Sequence, residues 1–463
     1  MSDVRLAPGA HVHLVGIGGA GMSALARILL ERGHTVSGSD LRSGRATAGL
    51  VAMGARVAVG HAAGHVDGAD LVVITSAVGA ANPELARARE LGIAVLPRAA
   101  LLELVMDGYR RVLVTGTHGK TTTSSMVAVA LQAAGMDPSF AIGGSLHGAG
   151  QSAHHGAGDV FVAEADEAYR SFLHLTPDVA VVTNAEMEHH DEYADEAAVL
   201  AAFAQFLARR PLGGTALLCA DDAGSVGLAA AADGDVRTYG EAQDADLRIT
   251  GVVLDPDGGR FALTDRGTDL GPFAIKLAGR HNVLNAAAAV GAACAVGADL
   301  DAVRAGLADF TGTQRRFQVL GEARGVTVVD DYGHHPTEVA ATLAAARQSH
   351  PVGRIVVVFQ PHRYSRTAAL GRDLGRALAA ADVVVVTDVY PAGEEPVPGV
   401  TGALVADAAR EDGAADVHLV GFTGDLPEAV ASLARPGDLV LTMGAGDITE
   451  VGPVLLRRLE VPV

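Results

Sequence analysis

Several residue types are scarce in this sequence of 463 residues, and each scarcity excludes a class of protein. The two cysteines, Cys219 and Cys294, lie apart in apolar surroundings, which excludes a disulfide framework and a CxxC metal site. No apolar run reaches the roughly 18 residues of a membrane-spanning helix, and the N-terminus lacks the pattern of a signal peptide. We therefore expect a cytoplasmic protein that has no membrane partner.

Positive charge is scarce as well. The formal net charge of −19 argues against a broad face for nucleic acid, because phosphate backbones require clustered cations. Lysine is the rarer cation, since only Lys120 and Lys276 stand among 35 lysines and arginines. Arginine and lysine are interchangeable on a solvated surface, but not where a compact ammonium must fit beside a phosphate. The rare Lys120 is therefore a candidate functional residue.

Length and patterning predict several α/β domains. At about 150 residues per domain, the chain is long enough for roughly three. Strand patterns alternate with helical patterns throughout, which is typical of parallel α/β sheets. We predict an N-terminal Rossmann-like domain at residues 1–107, a central P-loop ATPase-like parallel sheet domain at 108–313 and a C-terminal Rossmann-like domain at 314–463.

The second predicted domain opens with a strand, the loop GTHGKTTT and a helix. Backbone N–H groups and the helix dipole converge at such a point and bind anions. Lys120 would reach the β and γ phosphates of ATP, and the Thr121 hydroxyl would bind Mg²⁺. A tight turn with a chance GKT is the alternative, since Val114 stands where the Walker pattern has glycine. The strand context and the run of threonines favour phosphate contacts at Gly116, Thr117, His118, Gly119, Lys120, Thr121 and Thr122.

Metal-binding side chains follow two further strands. Glu164, Asp166 and Glu167 come after the strand DVFVAEAD, and His189 comes after the strand DVAVVTNAE. Carboxylates and imidazoles at neighbouring strand ends suit a metal ion that assists phosphoryl transfer. One acidic cluster alone is more often a solvated loop or a helix cap. Two clusters at one sheet edge favour a metal site there, beside Thr121, with Glu164 and His189 among its candidate ligands.

A second glycine loop lies near the N-terminus. Gly16, Gly18 and Gly21 satisfy the pattern GxGxxG, and Asp40 ends the next predicted strand. The loop would hold a diphosphate and the carboxylate would contact a ribose. Any nucleotide diphosphate meets this requirement, so the pattern does not specify nicotinamide. Close helix packing without a ligand is the alternative interpretation.

The motifs of the chain, taken in order, resemble the Mur ligases. They are HVHLVGIGGAGMSALARIL, SGSD, GTHGKTTT, EADE, TNAEMEHHDEY, GRHNVLNAAAAV, RRF, DDYGHHPTE and FQPHRYSR. The resemblance implies an ATP-dependent ligase that joins L-alanine to the lactyl carboxylate of UDP-N-acetylmuramate through an acyl phosphate. It also implies Mg²⁺, for which Mn²⁺ could substitute, and we expect a monomer or weak homodimer.

The resemblance also assigns roles to individual residues. The implied catalytic residues are Lys120, Glu164, His189, Arg316 and Asp331. Asn282, Asn285, Arg316 and Asp331 would contact the nucleotide. The UDP-sugar would lie against Gly16, Gly18, Gly19, Gly21, Asp40, His61, Ser76 and Arg98. The alanine candidates are Tyr332, His334, His362, Arg363 and Arg366. The structural alternatives are that His61, His281 and His335 are satisfied loop or core histidines, and that the segment HRYSR, with His362, Arg363 and Arg366, caps a helix.

Two departures from the family pattern keep other functions open. Ala168 and Tyr169 stand where the family commonly has Ser-Asp, and Glu188 stands where it has aspartate. These changes are near the predicted metal site and are consistent with a tripeptide-recycling ligase, although GIGGAGM favours the alanine enzyme. A nicotinamide-dependent dehydrogenase leaves GKTTT and the third domain without use. A non-catalytic nucleotide sensor does not require His189 and Asp331.

Overall fold

The computed structural model describes residues 5–75, 77–146, 151–188, 192–422 and 424–460. Within these ranges no helix combines the length and the apolar character needed to span a bilayer. The chain forms two compact units, which we describe one at a time. The first comprises Met1–Glu186, Glu196–Arg248 and Ala287–Leu307, and the second comprises Met187–Asp195, Ile249–Ala286 and Ala308–Val463.

The N-terminal part of the first unit alternates strands with helices. Its strands are β1 (His11–Val15), β2 (Thr35–Asp40), β3 (Arg56–Val59), β4 (Leu71–Ile74) and β5 (Ala94–Pro97). Its α-helices are α1 (Ala20–Glu31), α2 (Arg45–Ala52), α3 (Pro83–Glu90) and α4 (Arg98–Val105). The strands are parallel in the order β3-β2-β1-β4-β5. The chain therefore leaves β1 where the strand order reverses, and open α/β sheets bind ligands at that point.

A second sheet fills the rest of the first unit. Its strands are β6 (Arg110–Thr115), β7 (Ser139–Ala141), β8 (Ala153–His154), β9 (Val160–Glu164), β10 (Val179–Val182), β11 (Thr215–Cys219), β12 (Asp235–Gly240) and β13 (Leu247–Asp255). The helices of this segment are α5 (Lys120–Ala133), α6 (Glu196–Leu207) and α7 (Ala223–Ala229). Two more, α8 (Arg280–Ala295) and α9 (Leu300–Asp309), are divided between the units, since residues up to Ala286 and from Ala308 belong to the second. The strand order is β13-β12-β11-β10-β6-β9-β7-β8, and β6 is central and parallel to both of its neighbours.

The second unit contains a hairpin and a third sheet. The hairpin strands β14 (Gly258–Asp265) and β15 (Thr268–Ile275) are antiparallel. The sheet strands are β16 (Gln318–Ala323), β17 (Val326–Asp331), β18 (Ile355–Phe359), β19 (Val383–Val386), β20 (Val417–Leu419) and β21 (Leu439–Met443). The helices are α10 (Pro336–Ser349), α11 (Tyr364–Leu378), α12 (Gly402–Glu411), α13 (Leu426–Leu433) and α14 (Val451–Glu460).

The third sheet is buried on both faces. Its order is β16-β17-β21-β18-β19-β20, and β16 alone of these strands runs antiparallel to its neighbour. Val357 packs in a core with Leu343 of α10 and Leu374 of α11, whereas Val358 packs with Leu455 of α14 on the opposite face. Strands of this kind have nearly continuous apolar sequences, because neither face meets water.

The prediction of an α/β fold with three sheet-containing domains is confirmed. Strand β16 was missing from it, since the segment QVLGEA contains a glycine and a charge and has no strong strand pattern. The domain boundaries at residues 107 and 313 remain predictions.

Candidate active site

The predicted phosphate loop follows the central strand β6. It leaves the strand after Thr115 and enters helix α5 at Lys120. Gly119, directly before the helix, has φ of +80°, and Gly116 has φ of +133°. A Cβ atom at Gly116 would lie 2.1 Å from Oγ1 of Thr183. Glycine is therefore required at position 116, both for its backbone angle and for the space around it.

The end of strand β10 holds the loop in shape. Asn184 accepts a hydrogen bond at Oδ1 from the backbone N–H of His118 (2.8 Å), and Thr183 Oγ1 donates to the His118 carbonyl (2.5 Å). The backbone N–H of Glu186 donates to Thr117 Oγ1 at 2.9 Å. The loop and the segment TNAE thus form one preorganised element, which accounts for two of the sequence motifs.

Lys120 has a carboxylate partner that the sequence analysis missed. Its Nζ donates to both oxygens of Glu167, at 2.7 and 3.0 Å, and to the carbonyl of Gly116 at 2.6 Å. Burial by itself lowers the pKa of Lys120, but the attraction of Glu167 and Asp166 outweighs it and raises that pKa above its ordinary value. The loop therefore contains a protonated ammonium whose charge is balanced from the segment EADE. The sequence features that could have indicated this pair are the rarity of lysine and the acidic segment EADE.

Glu164 lies beside the same loop. It ends strand β9, next to Val114 of β6, and its Oε1 accepts from the backbone N–H of Gly143 at 2.6 Å. Ser124 of α5 donates to Oε1 at 3.4 Å, which places the carboxylate against the helix that carries Thr121 in its first turn. Carboxylate and hydroxyl oxygens are ligands that Mg²⁺ prefers, so this donor set fits the ion.

Thr122 and His189 are the remaining residues that the sequence predicts beside this loop. Thr122 follows Thr121 in the first turn of α5, and both side chains are buried. His189, the third predicted metal ligand, lies outside the described residues.

The N-terminal glycine loop is bonded to Asp40, whose predicted contact with a ribose remains a prediction. Gly16 has φ of +80°, and its N–H donates to the carbonyl of Ser39 at 2.8 Å. Asp40 Oδ2 accepts from the N–H of Gly18 at 2.9 Å. A Cβ at Gly18 would lie 2.8 Å from that same oxygen. The loop is consequently locked to the end of strand β2 by its own backbone donors.

The other predicted UDP-sugar residues surround this loop or lie near it. Gly19 precedes α1 as its N-cap, and a Cβ at Gly21 would lie 2.7 Å from Nη1 of Arg98. His61 Nδ1 is 2.9 Å from the hydroxyl of Ser39. Ser76 lies outside the described residues. The loop, Arg98 and His61 therefore belong to one end of the first sheet.

In the second unit, Asp331 ends strand β17 and is buried. It accepts from the backbone N–H groups of Gly333 and Phe317, both at 2.7 Å. Burial raises its pKa to about 6, even though Arg316 opposes the rise. The guanidinium of Arg316 lies 5.1 Å from the centre of the Tyr332 ring, which is within cation–π range. The RRF and DDYG motifs are thus in contact.

The asparagines of GRHNVLN form a buried pair in the same unit. Asn285 Nδ2 donates to Asn282 Oδ1 at 3.2 Å, and Asn282 Nδ2 donates to the carbonyl of Ala278 at 2.7 Å. Burial, with a smaller effect of the charge of Arg316, lowers the pKa of the adjacent His281 to about 4. Two of the predicted nucleotide contacts, Asn282 and Asn285, are therefore bonded to each other, and Arg316 is near enough to influence the histidine beside them.

The predicted alanine residues include a row of rings in contact, edge-to-face between Tyr332 and His334, tilted between His334 and His362, and stacked only between His362 and Tyr390. The His334 ring lies 5.3 Å from that of Tyr332 and 6.0 Å from that of His362, which stacks on Tyr390 at 5.4 Å and 11°. Burial lowers the pKa of His334 to about 4 and that of His362 to about 3, so both imidazoles are neutral at pH 7. Tyr390 was missed, because no motif marks it.

Two arginines complete this group. Arg366 donates from Nε and Nη2 to Oε1 of Glu188, at 2.9 and 2.7 Å. Burial raises the pKa of Glu188, but the combined effect of Arg366 and of the neighbouring His334 and His335 lowers that pKa to about 2. Arg363 occupies the N-cap position of α11 at φ of +67° without a side-chain capping bond. The side chain of Arg363 therefore does not cap the helix, and the family departure Glu188 has a structural partner in Arg366.

Comparison with known proteins decides the family. The model of the Mur ligase family catalytic domain matches residues 11–110, that of the Mur ligase middle domain matches 114–293, and that of the Mur ligase glutamate ligase domain matches 315–446. The chain belongs to the Mur ligase family. This confirms the family prediction and removes the dehydrogenase and nucleotide-sensor alternatives.

Relatives of this Mur ligase match over nearly its whole length. The UDP-N-acetylmuramate–L-alanine ligase of Acidothermus cellulolyticus is 52% identical, covering 97% of this chain and 94% of its own. The enzyme of the same name from Streptomyces avermitilis is 49% identical, with 97% of both chains covered. The solved UDP-N-acetylmuramate-alanine ligase of Thermotoga maritima is 30% identical, with a TM-score of 0.81 over 97% of this chain and 98% of that chain.

Proposed function

We propose that this Mur ligase joins L-alanine to the lactyl carboxylate of UDP-N-acetylmuramate, converting ATP to ADP and phosphate in peptidoglycan synthesis. The observation that carries the proposal is the agreement along the whole chain with alanine ligases, at about half of all positions. The arrangement of the phosphate loop, the acidic strand end and the alanine candidates is consistent with that chemistry.

The proposed reaction has two steps. The lactyl carboxylate attacks the γ-phosphorus of ATP, which gives an acyl phosphate and ADP. The amine of alanine then attacks the acyl carbon, and the tetrahedral intermediate loses phosphate and a proton to leave the amide. Activation is needed because a carboxylate oxygen is a poor leaving group until it carries a phosphoryl group.

The phosphate loop would hold ATP and offset its charge. The backbone N–H groups at the start of α5 would bind the phosphates, and the ammonium of Lys120 would stabilise charge that develops during transfer. The γ-phosphate would then replace Glu167 as the partner of that ammonium. Thr121, Glu164 and His189 are the proposed ligands of Mg²⁺, which neutralises phosphate charge when bound.

The second unit would supply the alanine and nucleotide contacts. Arg363 is the proposed guanidinium fork for the carboxylate of alanine. Arg366, whose guanidinium bonds Glu188 and His362, would contribute its positive charge beside that carboxylate. His334 donates from Nδ1 to the carbonyl of Tyr332, so Nε2 of its neutral imidazole can accept a hydrogen bond from the amino group of alanine. His362 accepts at Nδ1 from Nη1 of Arg366, so Nε2 of its neutral ring carries the hydrogen and can donate to the carboxylate. Tyr332 lies beside His334.

We also propose that the nucleotide contacts four residues of the second unit, Asn282, Asn285, Arg316 and Asp331.

The first loop would bind the UDP moiety. Its glycines and the N-terminus of α1 present backbone donors to the diphosphate, and Asp40 and Arg98 lie beside them. We further propose that the enzyme is a monomer or weak homodimer in the cytoplasm, and that Mn²⁺ can replace Mg²⁺.

Purified protein with ATP, Mg²⁺, UDP-N-acetylmuramate and L-alanine tests the proposal. We expect ADP release that depends on both the sugar and alanine, with the coupled product visible by mass spectrometry. A parallel reaction should contain the preformed tripeptide in place of alanine, since Glu188 departs from the family pattern. Faster turnover with tripeptide would indicate the recycling type of ligase. No alanine-dependent ADP release would contradict the alanine assignment.

A further inference from the structure

A buried carboxylate lies behind the first glycine loop. Glu84 is in the first turn of α3, where Asn82 caps the helix, and its side chain is 0% exposed. A buried charge is costly unless hydrogen bonds and opposite charges surround it. Burial raises the pKa of Glu84, but His13, Ser39 and His65 outweigh it and lower that pKa to about 2. Glu84 is therefore an anion at neutral pH.

Side chains from three other segments converge on this anion. The Ser39 hydroxyl donates to Oε2 at 2.6 Å, and His61 Nδ1 lies 3.2 Å from the same oxygen. His65 Nδ1 lies 2.7 Å from Oε1, and His13 Nε2 lies 3.8 Å from it. Apart from His61, no residue of this set belongs to the predicted sites. Because these side chains contact a buried carboxylate, the cluster is not a loop exposed to solvent.

Ser39 connects the cluster with the glycine loop. Its side chain bonds Glu84, while its carbonyl accepts from the N–H groups of Gly16 and Ile17 at 2.8 and 3.1 Å. The next residue, Asp40, accepts from the N–H of Gly18. Consecutive residues at the end of β2 thus shape the loop, and the first of them is held in place by Glu84.

The cluster also sets the orientation of His61. A carboxylate can only accept, so the Ser39 hydroxyl donates to Glu84 and can accept from Nδ1 of His61 in turn. Nδ1 then carries the hydrogen, and Nε2 of a neutral ring is an acceptor. Nε2 lies on the opposite edge of the ring from the buried anion. An acceptor at this place suits a hydroxyl or imide N–H donor of a nucleoside, rather than a phosphate oxygen.

We propose that Glu84 is a positioning residue of the UDP-sugar site, which orients His61 toward the nucleoside and, through Ser39, keeps the glycine loop in its binding shape. The proposal rests on the proposed function and deepens it for the first substrate. Glu84 acts through its neighbours and does not touch the reacting atoms.

The test compares Glu84→Gln with Glu90→Gln, a matched change of an exposed carboxylate on the same helix. Titration calorimetry with UDP itself measures binding, and steady-state kinetics separates KM from kcat. We expect Glu84→Gln to raise the Kd for UDP and the KM for the UDP-sugar about tenfold, because a hydrogen-bonded charge is lost. The KM for ATP and kcat should stay within about twofold, and Glu90→Gln should match the unaltered protein.

A double-mutant cycle with His61→Ala tests the connection. Because part of the effect passes through His61, Glu84→Gln should weaken UDP binding much less in the His61→Ala background. An equal loss in both backgrounds, or a fall in kcat with unchanged Kd, would overturn the proposal. Should Glu84→Gln fail to fold, Ser39→Ala removes one donor of the cluster, and an unchanged Kd for UDP would again overturn it.

The two hypotheses fail differently. Unaltered UDP binding in Glu84→Gln, together with normal alanine-dependent ADP release by the parent protein, contradicts the role of Glu84 alone. Weakened UDP binding in Glu84→Gln, with no alanine-dependent ADP release by the parent, supports that role and contradicts the proposed acceptor.

Discussion

The two glycine loops of the first unit share a plan and differ in charge. Each follows a strand that is parallel to both of its neighbours, uses glycine at positive φ and leads into a helix N-terminus. In the first loop a carboxylate, Asp40, accepts from the backbone of Gly18. In the second an ammonium, Lys120, lies within the loop and bonds Glu167. A loop that only binds a diphosphate can rely on backbone donors, whereas phosphoryl transfer needs a charge that can change partner.

The two loops also differ in what surrounds their glycines. At Gly18 the space for a Cβ is filled by the side chain of Asp40, which can move. At Gly116 it is filled by the Thr183 hydroxyl and the backbone of Asn184. The second loop is therefore the less adaptable of the two.

Removal of the ammonium should have the largest effect. We expect Lys120→Met to lower the rate of ADP release by about 10²- to 10³-fold, because it removes a charged donor from the transferring phosphoryl group. The affinity for UDP should stay unchanged, since UDP is proposed to bind at the first loop and Lys120 belongs to the second. Lys276→Met is the matched control, because that lysine is exposed and pairs with Asp309. Near-normal turnover in Lys120→Met would contradict the role of the second loop.

Local patterns account for what could be predicted. Strand, glycines and helix follow each other within a few residues, so both loops and the α/β class were readable from the sequence. Partners brought together by tertiary packing were not. Glu167 lies 47 residues after Lys120, and Glu188 and Arg366 are 178 residues apart. Local periodicity contains no information about such pairs, which depend on strand order and helix packing.

The resemblance to a family supplied roles that no local pattern gives. It singled out Arg316 and Asp331, which have contacts with neighbouring motifs in the second unit. The family resemblance did not indicate Glu84. The histidines that surround this residue come from separate strands and turns, so no single motif contains the cluster. The assigned roles of all these residues remain predictions.

The glycine comparison predicts an intermediate effect, on stability. Gly116→Ala should lower the free energy of unfolding by about 3 kcal/mol, since it combines overpacking with an unfavourable φ. Gly18→Ala should cost about 1 kcal/mol, because the Asp40 side chain can shift. Gly108→Ala, with positive φ and open space, controls for the backbone angle alone. Urea unfolding followed by circular dichroism measures all three, and equal costs at Gly116 and Gly18 would contradict the difference in adaptability.

The smallest expected effect concerns acid stability behind the first loop. The folded pKa of Glu84 is about 2, below its ordinary value of 4.5, so its stabilisation is present above pH 4.5 and is lost as the pH falls toward 2. The free energy of unfolding of the parent should therefore exceed that of Glu84→Gln by less at about pH 3 than at about pH 5. Urea unfolding at a series of pH values measures this difference. For Asp331 the stability should depend on pH in the opposite direction, because burial raises its pKa to about 6. For Asp331→Asn the parent should gain relative stability as the pH falls through 6, since the folded state then takes up a proton that the unfolded state does not yet bind. A parent advantage over Glu84→Gln that stays constant with pH would mean that Glu84 is not held as an anion in the folded protein.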